Sequence, residues 1–362
     1  MAVVHPFKGL RYNKSVVTDL NRVVAQPYDK TTPSMQDAYC RISPYNVVRI
    51  TLNPEKRTDP ATAYPAAGAT VRQWIEQGVL GQDAGPAFYA YAQEYAVDGD
   101  ARLQRGFIAL LDLENSESGI VPHENTLTEP KQDRLRLIRS LEGNEDLIYM
   151  LYADDAMGID RVLDRSLSGR APEIEVTDEY GAIHRLWSVA DAESVVEIRD
   201  GMRSRKLFIA DGHHRFETSV NYMKECRRRG WGPIGVESYD KRMVACFNLA
   251  AGVTILPTHR LIRDLPAFDA GVFLRAAAED FSVETVPSAA ALWGRMREGR
   301  AGHAIGFYPA KHRQFYLLSL KRESPENTGS EDLLDVRLLH SLLLERGLGI
   351  DANRLAAQSN ID

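Results

Sequence analysis

The chain has 362 residues, enough for two domains, and 44% of them are hydrophobic and 26% charged, as in globular proteins. The net charge of −6 argues against a duplex-DNA partner, because such binders need a basic surface to displace counterions. No apolar run is long enough to predict a membrane span, and the three widely separated cysteines (Cys40, Cys226 and Cys246) predict no disulfide framework. We therefore expect a cytoplasmic protein without a membrane partner.

In chain order, the first predicted elements are a strand at residues 46–52 and a helix at residues 65–77, which Gly78 ends. Two β-rich runs, residues 87–97 and 103–113, flank an Asp98–Gly99 turn signal and predict a hairpin. Residues 130–165 have charged and apolar residues at helical spacing, most clearly at 130–143. The later predicted elements are helices at 192–204, 215–230 and 333–350, strands at 183–189, 207–210, 242–250 and 253–262, and a hairpin at 304–320. This mixture predicts an α+β fold of mixed, largely antiparallel sheets with flanking helices.

The predicted elements group into three parts of the chain. Residues 1–115 form an N-terminal α+β part that holds a Pro-Tyr-Asp motif and the first hairpin. Residues 116–262 form a core with the sequences "PHENT" and "DGHHR". Residues 263–362 hold the second hairpin and further helices, which we expect to be packed on that core.

The most informative stretch is the one in which an apolar run gives way to Asp211, Gly212, His213, His214 and Arg215 before a predicted helix. The first N–H groups of a helix lack internal partners and carry partial positive charge, so a strand, a glycine turn and a helix start favour an anion. Glycine allows a close backbone approach, and guanidinium and imidazole groups donate well to phosphate oxygens. Asp211 is suited to bind a metal ion, to accept a proton or to cap the helix, and a purely structural turn is an equally frequent explanation.

Three further polar clusters are candidates: Gln26, Tyr28 and Asp29 in "AQPYDK", His123 and Glu124 in "VPHENT", and His259 and Arg260 in "LPTHRLI". Each also has a structural explanation, respectively a simple turn, a surface pair and an exposed strand end. The chain contains no H-E-x-x-H or C-x-x-C metal spacing, no Walker loop, no nucleophile elbow and no Rossmann glycine motif.

Taken in order, "AQPYD", "PHENT", "IADGHHRFET" and "LPTHRLI" resemble the bacterial and archaeal domain-of-unknown-function family numbered 1015, over nearly the whole chain. The sequences "DRLRLI" and "LIYMLY" also fit its layout. The resemblance implies a further C-terminal segment that closes with a Lys-Ser-Thr-Tyr-Phe-like motif. This chain stops at Asp362 without that motif, so we expect a shortened member or a truncated product.

The "DGHHR" turn is also similar to the D-G-H-x-R turn of ParB-like and sulfiredoxin-like proteins. That superfamily contains nucleotide-binding partition proteins, sulfiredoxins and a free-serine kinase. The similarity covers only residues 205–225. It implies a ParB/sulfiredoxin-like core in which the turn binds phosphate at a helix N-terminus.

We therefore expect a phosphotransferase that acts on a small hydroxylated metabolite with a nucleotide or pyrophosphate as the donor, serine being implied by the kinase resemblance alone. The expected catalytic residues are Asp211, His213, Glu124 and Asp29, the expected phosphate-binding residues are Gly212, His214, Arg215, His123, His259 and Arg260, and Asp211 is the expected Mg²⁺ ligand. The alternative is a regulatory protein that binds a nucleotide or phosphorylated metabolite without turnover. An enzyme requires Glu124 or Asp29 to lie about one metal ion or one water from Asp211, whereas a binder does not.

Overall fold

A computed structural model describes residues 2–57, 59–97, 99–114, 119–121, 128–254, 259–265, 268–298, 302–321, 335–351 and 354. They divide into two compact units, Met1–Ile255 and Leu256–Asp362. The helices of these described segments include none with the length and apolar character that crossing a membrane requires. The predicted three-part division of the chain stays a prediction.

The N-terminal unit contains strands β1 to β11, which are Val4–His5, Leu10–Tyr12, Leu80–Gln82, Phe88–Val97, Asp100–Asp112, Ile120–Val121, Ile148–Tyr152, Ile174–Thr177, Ile183–Val189, Leu207–Asp211 and Lys241–Asn248. Its α-helices α1 to α7 are Pro33–Ile42, Val48–Thr51, Pro60–Glu76, Thr128–Leu141, Gly158–Leu167, Ala192–Arg203 and His213–Arg228. Short 3-10 helices occur at Leu20–Arg22, Pro54–Arg57 and Leu249–Ala251.

The C-terminal unit contains strands β12 to β14, which are Phe281–Val286, Ala304–Phe307 and Phe315–Leu320. They form an antiparallel sheet in the order β12-β14-β13. Its helices α8 to α11 are Ala270–Ala277, Ala289–Glu298, Asp335–Leu338 and Arg346–Leu348, with a π-helix, Leu339–Glu345, between the last two.

A nine-stranded sheet organises the N-terminal unit, in the order β6-β10-β7-β11-β5-β4-β9-β8, with β1 also pairing with β5. The β6–β10 and β7–β11 pairs are parallel, and the remaining pairs of this sheet are antiparallel. The predicted α+β class with a mixed, largely antiparallel sheet and flanking helices is confirmed. A ParB-like core around the "DGHHR" turn is not confirmed and stays a prediction.

The two faces of this sheet have different partners, because successive side chains of a strand point to opposite faces. One face belongs to the main hydrophobic core, which includes Phe88, Phe107, Met150, Ile209 and Val244 from the sheet, Ile159 from α5 and Ile198 from α6. The opposite face carries an aromatic platform formed by Tyr91, Tyr149 and Phe247. The Phe247 ring centroid lies 4.4 Å from that of Tyr149 and 6.1 Å from that of Tyr91.

Glycine at position 106 makes this platform possible. Gly106 lies on β5 between Tyr91 of β4 and Phe247 of β11 in the strand registers. A Cβ atom at this position would lie 2.6 Å from Cδ1 of Phe247, so any side chain here would push the ring away from the sheet.

The predicted strand at residues 46–52 is wrong, because this segment forms the short helix α2. Asn46 is fully buried, and its Oδ1 accepts from the Val48 N–H at 3.0 Å. Its amide group donates to the carbonyl oxygens of Arg22 and Val24. These contacts fix a turn that outweighs the β preference of the valines and the isoleucine.

The other element predictions largely agree with the structure. The helices at 65–77, 130–143, 192–204 and 215–230, the strands at 183–189, 207–210 and 242–250, and both hairpins are confirmed as α3, α4, α6, α7, β9, β10, β11, β4–β5 and β13–β14. The helical spacing predicted across 130–165 is wrong at Ile148–Tyr152, because this apolar and aromatic run forms strand β7 between β10 and β11. The C-terminal helix is confirmed with a π-helical middle. Residues 253–254 and 259–261 of the predicted strand 253–262 lie outside any strand, and 255–258 lie outside the described residues.

Candidate functional site

The "DGHHR" turn joins β10 to α7 in the N-terminal unit. Gly212 occupies the N-cap position of α7 with a φ of 96°, in the left-handed region that an L side chain adopts at a cost of about 1–2 kcal/mol. Because the N-cap residue is glycine, the first turn of the helix has no side-chain cap from that position. The local geometry is therefore the strand, glycine turn and helix start that the sequence predicted.

The guanidinium of Arg215 lies directly over this turn. It donates to the Asp211 carboxylate and to the carbonyl oxygen of Leu147. A Cβ atom at Gly212 would lie 3.1 Å from Nε of Arg215. The Arg215 side chain is 15% exposed and that of Asp211 is 68% exposed, so this ion pair has one well-solvated partner. Another anion could therefore replace Asp211 as the partner of Arg215, because the released carboxylate would be in contact with solvent.

Arg215 belongs to a group of buried and half-buried charges, which we call the charge cluster: Arg134, Glu145, Asp146, Arg215 and Arg242. Asp146 lies at its centre, since its Oδ1 accepts from Arg242 and its Oδ2 lies 3.9 Å from Nε of Arg215. Nη1 of Arg134 lies 3.6 Å from Oε1 of Glu145. Arg134 and Arg242 are 4% and 3% exposed, so these charges interact in a poorly solvated environment.

Arg134 connects the charge cluster to the "AQPYD" motif. Its guanidinium carbon lies 4.0 Å from the ring centroid of Tyr28, within cation–π range. Its Nη2 donates to Asp133 at 2.6 Å and to the carbonyl oxygen of Thr51 at 3.2 Å. Burial raises the pKa of Tyr28, and the charges of Arg134 and Arg215 oppose that rise. Two motifs that are far apart in sequence therefore meet at the charge cluster.

Three polar atoms of the charge cluster are buried without a hydrogen-bond partner among the described residues: Nη1 of Arg134, Oδ2 of Asp146 and Nε of Arg242. Leaving a buried polar group unsatisfied costs about 1–3 kcal/mol, and more when it is charged, so native structures normally satisfy such groups. These atoms therefore point to ordered water or a polar ligand at the charge cluster.

Glu145 is a candidate acid–base group that the sequence analysis did not identify. Burial raises its pKa to about 7, the charge of Asp146 adds to the rise, and Arg242 and Arg134 oppose it. A carboxyl group that titrates near neutral pH is suited to proton transfer. The signal was an adjacent acidic pair, Glu145–Asp146, directly before the apolar strand β7.

The other predicted residues of the turn and of the "AQPYD" motif are also placed by the structure. His213 is buried, with 5% of its surface exposed, and His214 is half-buried. Asp29 is exposed and lies close enough to Tyr28 for its charge to raise the tyrosine pKa. Asp29 follows Tyr28 in the chain, and its role as the second carboxylate beside Asp211 stays a prediction.

The remaining predicted residues lie elsewhere. His123 and Glu124 fall outside the described residues, so their roles stay predictions. His259 and Arg260 belong to the C-terminal unit, where the ring of His259 contacts Trp293 edge-on at a centroid distance of 5.2 Å.

The described residues offer Mg²⁺ few protein ligands. They contain no group of three or more His, Cys, Asp and Glu side chains that could hold a metal ion. Asp211 supplies one exposed carboxylate, and Mg²⁺ commonly binds one or two carboxylates together with substrate phosphates and water. The donor set therefore suits Mg²⁺ only in company with a phosphate-bearing ligand.

A cavity of about 660 Å³ adjoins the "AQPYD" motif. Gln26 and Pro27 line it from the motif, and Tyr91 and Ile108 line it from the sheet. Tyr28, the residue that follows Pro27, contacts Arg134, so one loop borders both the cavity and the charge cluster. The volume lies in the range of about 300–1,000 Å³ that is typical of small-molecule sites.

Three side chains that line this cavity form a hydrogen-bonded chain, which sequence reasoning also missed. The hydroxyl of Tyr91 lies 2.7 Å from Nδ1 of His184, and Nε2 of His184 lies 3.4 Å from Oδ2 of Asp178. Burial raises the pKa of Tyr91, so the phenol stays protonated at neutral pH. The imidazole of His184 therefore links a phenol to a carboxylate at the wall of the cavity.

Replacing Gly212 with alanine is expected to lower the free energy of unfolding by about 1–2 kcal/mol through the left-handed backbone, and to displace Arg215 as well. Gly230→Ala is the matched control, since Gly230 also has a positive φ, of 76°, but no heavy atom within 4 Å of its ideal Cβ. Urea denaturation measures both changes. Equal losses in the free energy of unfolding would show that a Cβ atom at position 212 does not displace Arg215.

A protein-family model described as "Protein of unknown function (DUF1015)" matches residues 4–339 of the chain. The matched span includes the "AQPYD", "PHENT", "DGHHR" and "LPTHRLI" motifs. The comparisons with curated proteins and with solved structures gave no match.

Proposed function

The chain belongs to the DUF1015 family of proteins of unknown function, and from this premise we propose that it is a phosphotransferase. The acceptor is a small hydroxylated metabolite, and the donor is a nucleotide or pyrophosphate. The observation that carries the proposal is the Gly212 turn at the start of α7 with the guanidinium of Arg215 above it. The buried atoms of the charge cluster that have no hydrogen-bond partner among the described residues support a polar ligand beside Arg215.

In the proposed binding step, a donor phosphate approaches the first turn of α7 and replaces Asp211 as the partner of Arg215. Backbone N–H groups and a guanidinium fork together suit a phosphate dianion. Because the Asp211 side chain is 68% exposed, the exchange releases it into solvent without burying an unpaired charge. Nη1 of Arg134 supplies a further donor beside Tyr28.

In the proposed chemical step, the acceptor hydroxyl oxygen attacks the terminal phosphorus of the donor. The new P–O bond forms as the bond to the leaving phosphate oxygen breaks, and that oxygen departs with the electron pair. The released Asp211 carboxylate takes the hydroxyl proton. Mg²⁺ bound to the donor phosphates would offset their negative charge. In the alternative assignment, Asp29 is the base and Asp211 would be the Mg²⁺ ligand.

Two further parts of the proposal have indirect support. Serine as the acceptor is supported by the resemblance of the turn to that of a free-serine kinase. A cytoplasmic location is supported by the free cysteines Cys40, Cys226 and Cys246, because reduced thiols are usual in a reducing compartment.

The proposal is tested by incubating the protein with Mg²⁺, a nucleoside triphosphate or pyrophosphate, and a panel of hydroxylated metabolites that begins with serine. Phosphorus NMR should show a new phosphoester. Asp211→Asn is expected to lower the rate about 10²–10³-fold, by analogy with other lost transition-state contacts, while ligand affinity and thermal stability remain. Asp200→Asn, at a well-exposed carboxylate on α6, is the control.

Two outcomes would contradict parts of this proposal. Ligand binding without a phosphoester from any donor would favour a regulatory binding protein. If the Asp211→Asn variant is as active as the parent, Asp211 has no catalytic role and is only a structural partner of Arg215.

A further inference from the structure

We propose that the 660 Å³ cavity beside the "AQPYD" motif binds the nucleoside of the phosphate donor, which makes the donor a nucleotide and not pyrophosphate. This inference rests on the phosphotransferase proposed above and names the donor class and its binding site. Four features of the cavity carry it: its walls, its carboxamides, its carboxylate and its position next to the charge cluster.

The walls of the cavity suit a flat organic ring. Ten of its 20 lining residues have aliphatic or aromatic side chains, among them Tyr91 and Ile108 on the floor of the sheet. Pyrophosphate is polar throughout and gains nothing from such walls. A nucleobase, by contrast, is stabilised when its faces lie against apolar and aromatic groups, most of all when it stacks on an aromatic ring.

Two carboxamide groups in the cavity can recognise the edge of a base. Gln26 and Gln93 line the cavity, and neither side chain donates to or accepts from another described residue. Gln104 offers a contrast on the same sheet, because its amide already donates to Tyr149. A carboxamide presents one acceptor and two donors, the combination that binds the hydrogen-bonding edge of a base.

The cavity also contains an acceptor suited to ribose hydroxyls. Glu179 is exposed, and both of its carboxylate oxygens lie 2.8 Å from the hydroxyl of Tyr39. Burial, with the carboxylate adding to its effect, raises the pKa of Tyr39 to about 12, so the tyrosine remains a donor at neutral pH. Glu179 keeps lone pairs for further donors, and acidic side chains hold ribose hydroxyls in dinucleotide sites in the same way.

The position of the cavity directs the phosphates of a bound nucleotide towards the charge cluster. Pro27 lines the cavity, and Tyr28, whose Cα atom is only about 3.8 Å away along the chain, carries the guanidinium of Arg134 over its ring. Of the two arginines that line the cavity, Arg185 is paired with Glu94 and Glu175, and Arg22 donates to the carbonyl oxygen of Ile42. Asp178 and Glu179 repel phosphates and the arginines of the charge cluster attract them, which favours this orientation.

The test measures affinities by calorimetry for nucleoside monophosphates, ribose 5-phosphate and pyrophosphate. Ala25→Trp, which places a bulky ring at the wall of the cavity, is expected to abolish nucleotide binding and to leave pyrophosphate binding unchanged. Gln93→Leu is expected to weaken nucleotide binding about 10-fold through the lost hydrogen bonds to the base. Gln73→Leu makes the same chemical change at an exposed position of α3 and serves as the control.

The outcomes separate this inference from the proposed function. Equal affinity for nucleotides and ribose 5-phosphate, or unchanged nucleotide affinity in Gln93→Leu, would overturn the inference, while turnover with pyrophosphate would still support a phosphotransferase. Nucleotide binding that is lost in Ala25→Trp, together with no phosphoester product, would overturn the phosphotransferase and leave the nucleoside site established. If Ala25→Trp does not fold, Gln93→Leu against Gln73→Leu decides.

Discussion

Replacing Arg242 with methionine is expected to lower the free energy of unfolding by about 3–5 kcal/mol, because it leaves buried carboxylate charge without its partner. Arg242 binds the Asp146 carboxylate, donates to Oδ1 of Asn144 at 2.7 Å and is almost fully buried. Methionine retains much of the apolar stem, so the loss reports mainly on the charge. Urea denaturation at pH 7 measures it.

The matched control is Arg105→Met, which removes a guanidinium from a pair with Asp164 in which both side chains are well exposed. Exposed pairs contribute about 0–1 kcal/mol, so this variant should remain close to the parent. The double variant Arg242→Met, Asp146→Asn should recover part of the loss, since it also removes the stranded charge. A loss at Arg242 no larger than that at Arg105 would show that the charge cluster is well solvated.

Replacing Glu145 with glutamine is expected to change the pH dependence of stability. The folded-state pKa of Glu145, about 7, lies above the usual value of 4.5, so the folded state binds this proton more tightly than the unfolded state. The resulting stabilisation is fully present below pH 4.5 and is lost as the pH rises through 7. As the pH rises from 4.5 to 8, the free energy of unfolding of the variant should increase relative to that of the parent by on the order of 3 kcal/mol.

Urea denaturation at several pH values measures this change. Glu142→Gln, at an exposed position just before the charge cluster, is the control and should follow the parent at every pH. Parallel pH profiles for the parent and Glu145→Gln would show that Glu145 titrates as an ordinary surface carboxylate, and would remove it as an acid–base candidate.

Local signals account for the elements that the sequence predicted correctly. The β4–β5 hairpin and the helices α4, α6 and α7 follow from periodicity and turn chemistry within a few residues. The predicted strand at residues 46–52 is wrong because a long-range contact decides the structure of this segment. The buried amide of Asn46 bonds to carbonyl oxygens more than twenty residues earlier, and no local pattern of valines and isoleucines reveals such a contact.

The candidate site was predictable only in part, for a similar reason. The "AQPYD" and "DGHHR" motifs stood out by composition, but their meeting depends on the order of strands in the sheet. Arg134 lies on an amphipathic helix and Arg242 is the second residue of a strand, positions at which an arginine is usually solvated. Only the fold buries both beside Glu145 and Asp146, so their importance is a property of tertiary structure.

The position of β5 in the sheet has a consequence for synthesis of the protein. Its partners are β1, at residues 4–5, the adjacent β4, and β11, at residues 241–248. On the ribosome the β4–β5 hairpin emerges with one edge unpaired, and translating residues 113–240 takes roughly 6–25 s at about 5–20 residues per second. During that interval the nascent chain exposes a long apolar strand edge, the kind of template on which wrong pairing and aggregation begin. Protection by chaperones therefore matters most before β11 arrives.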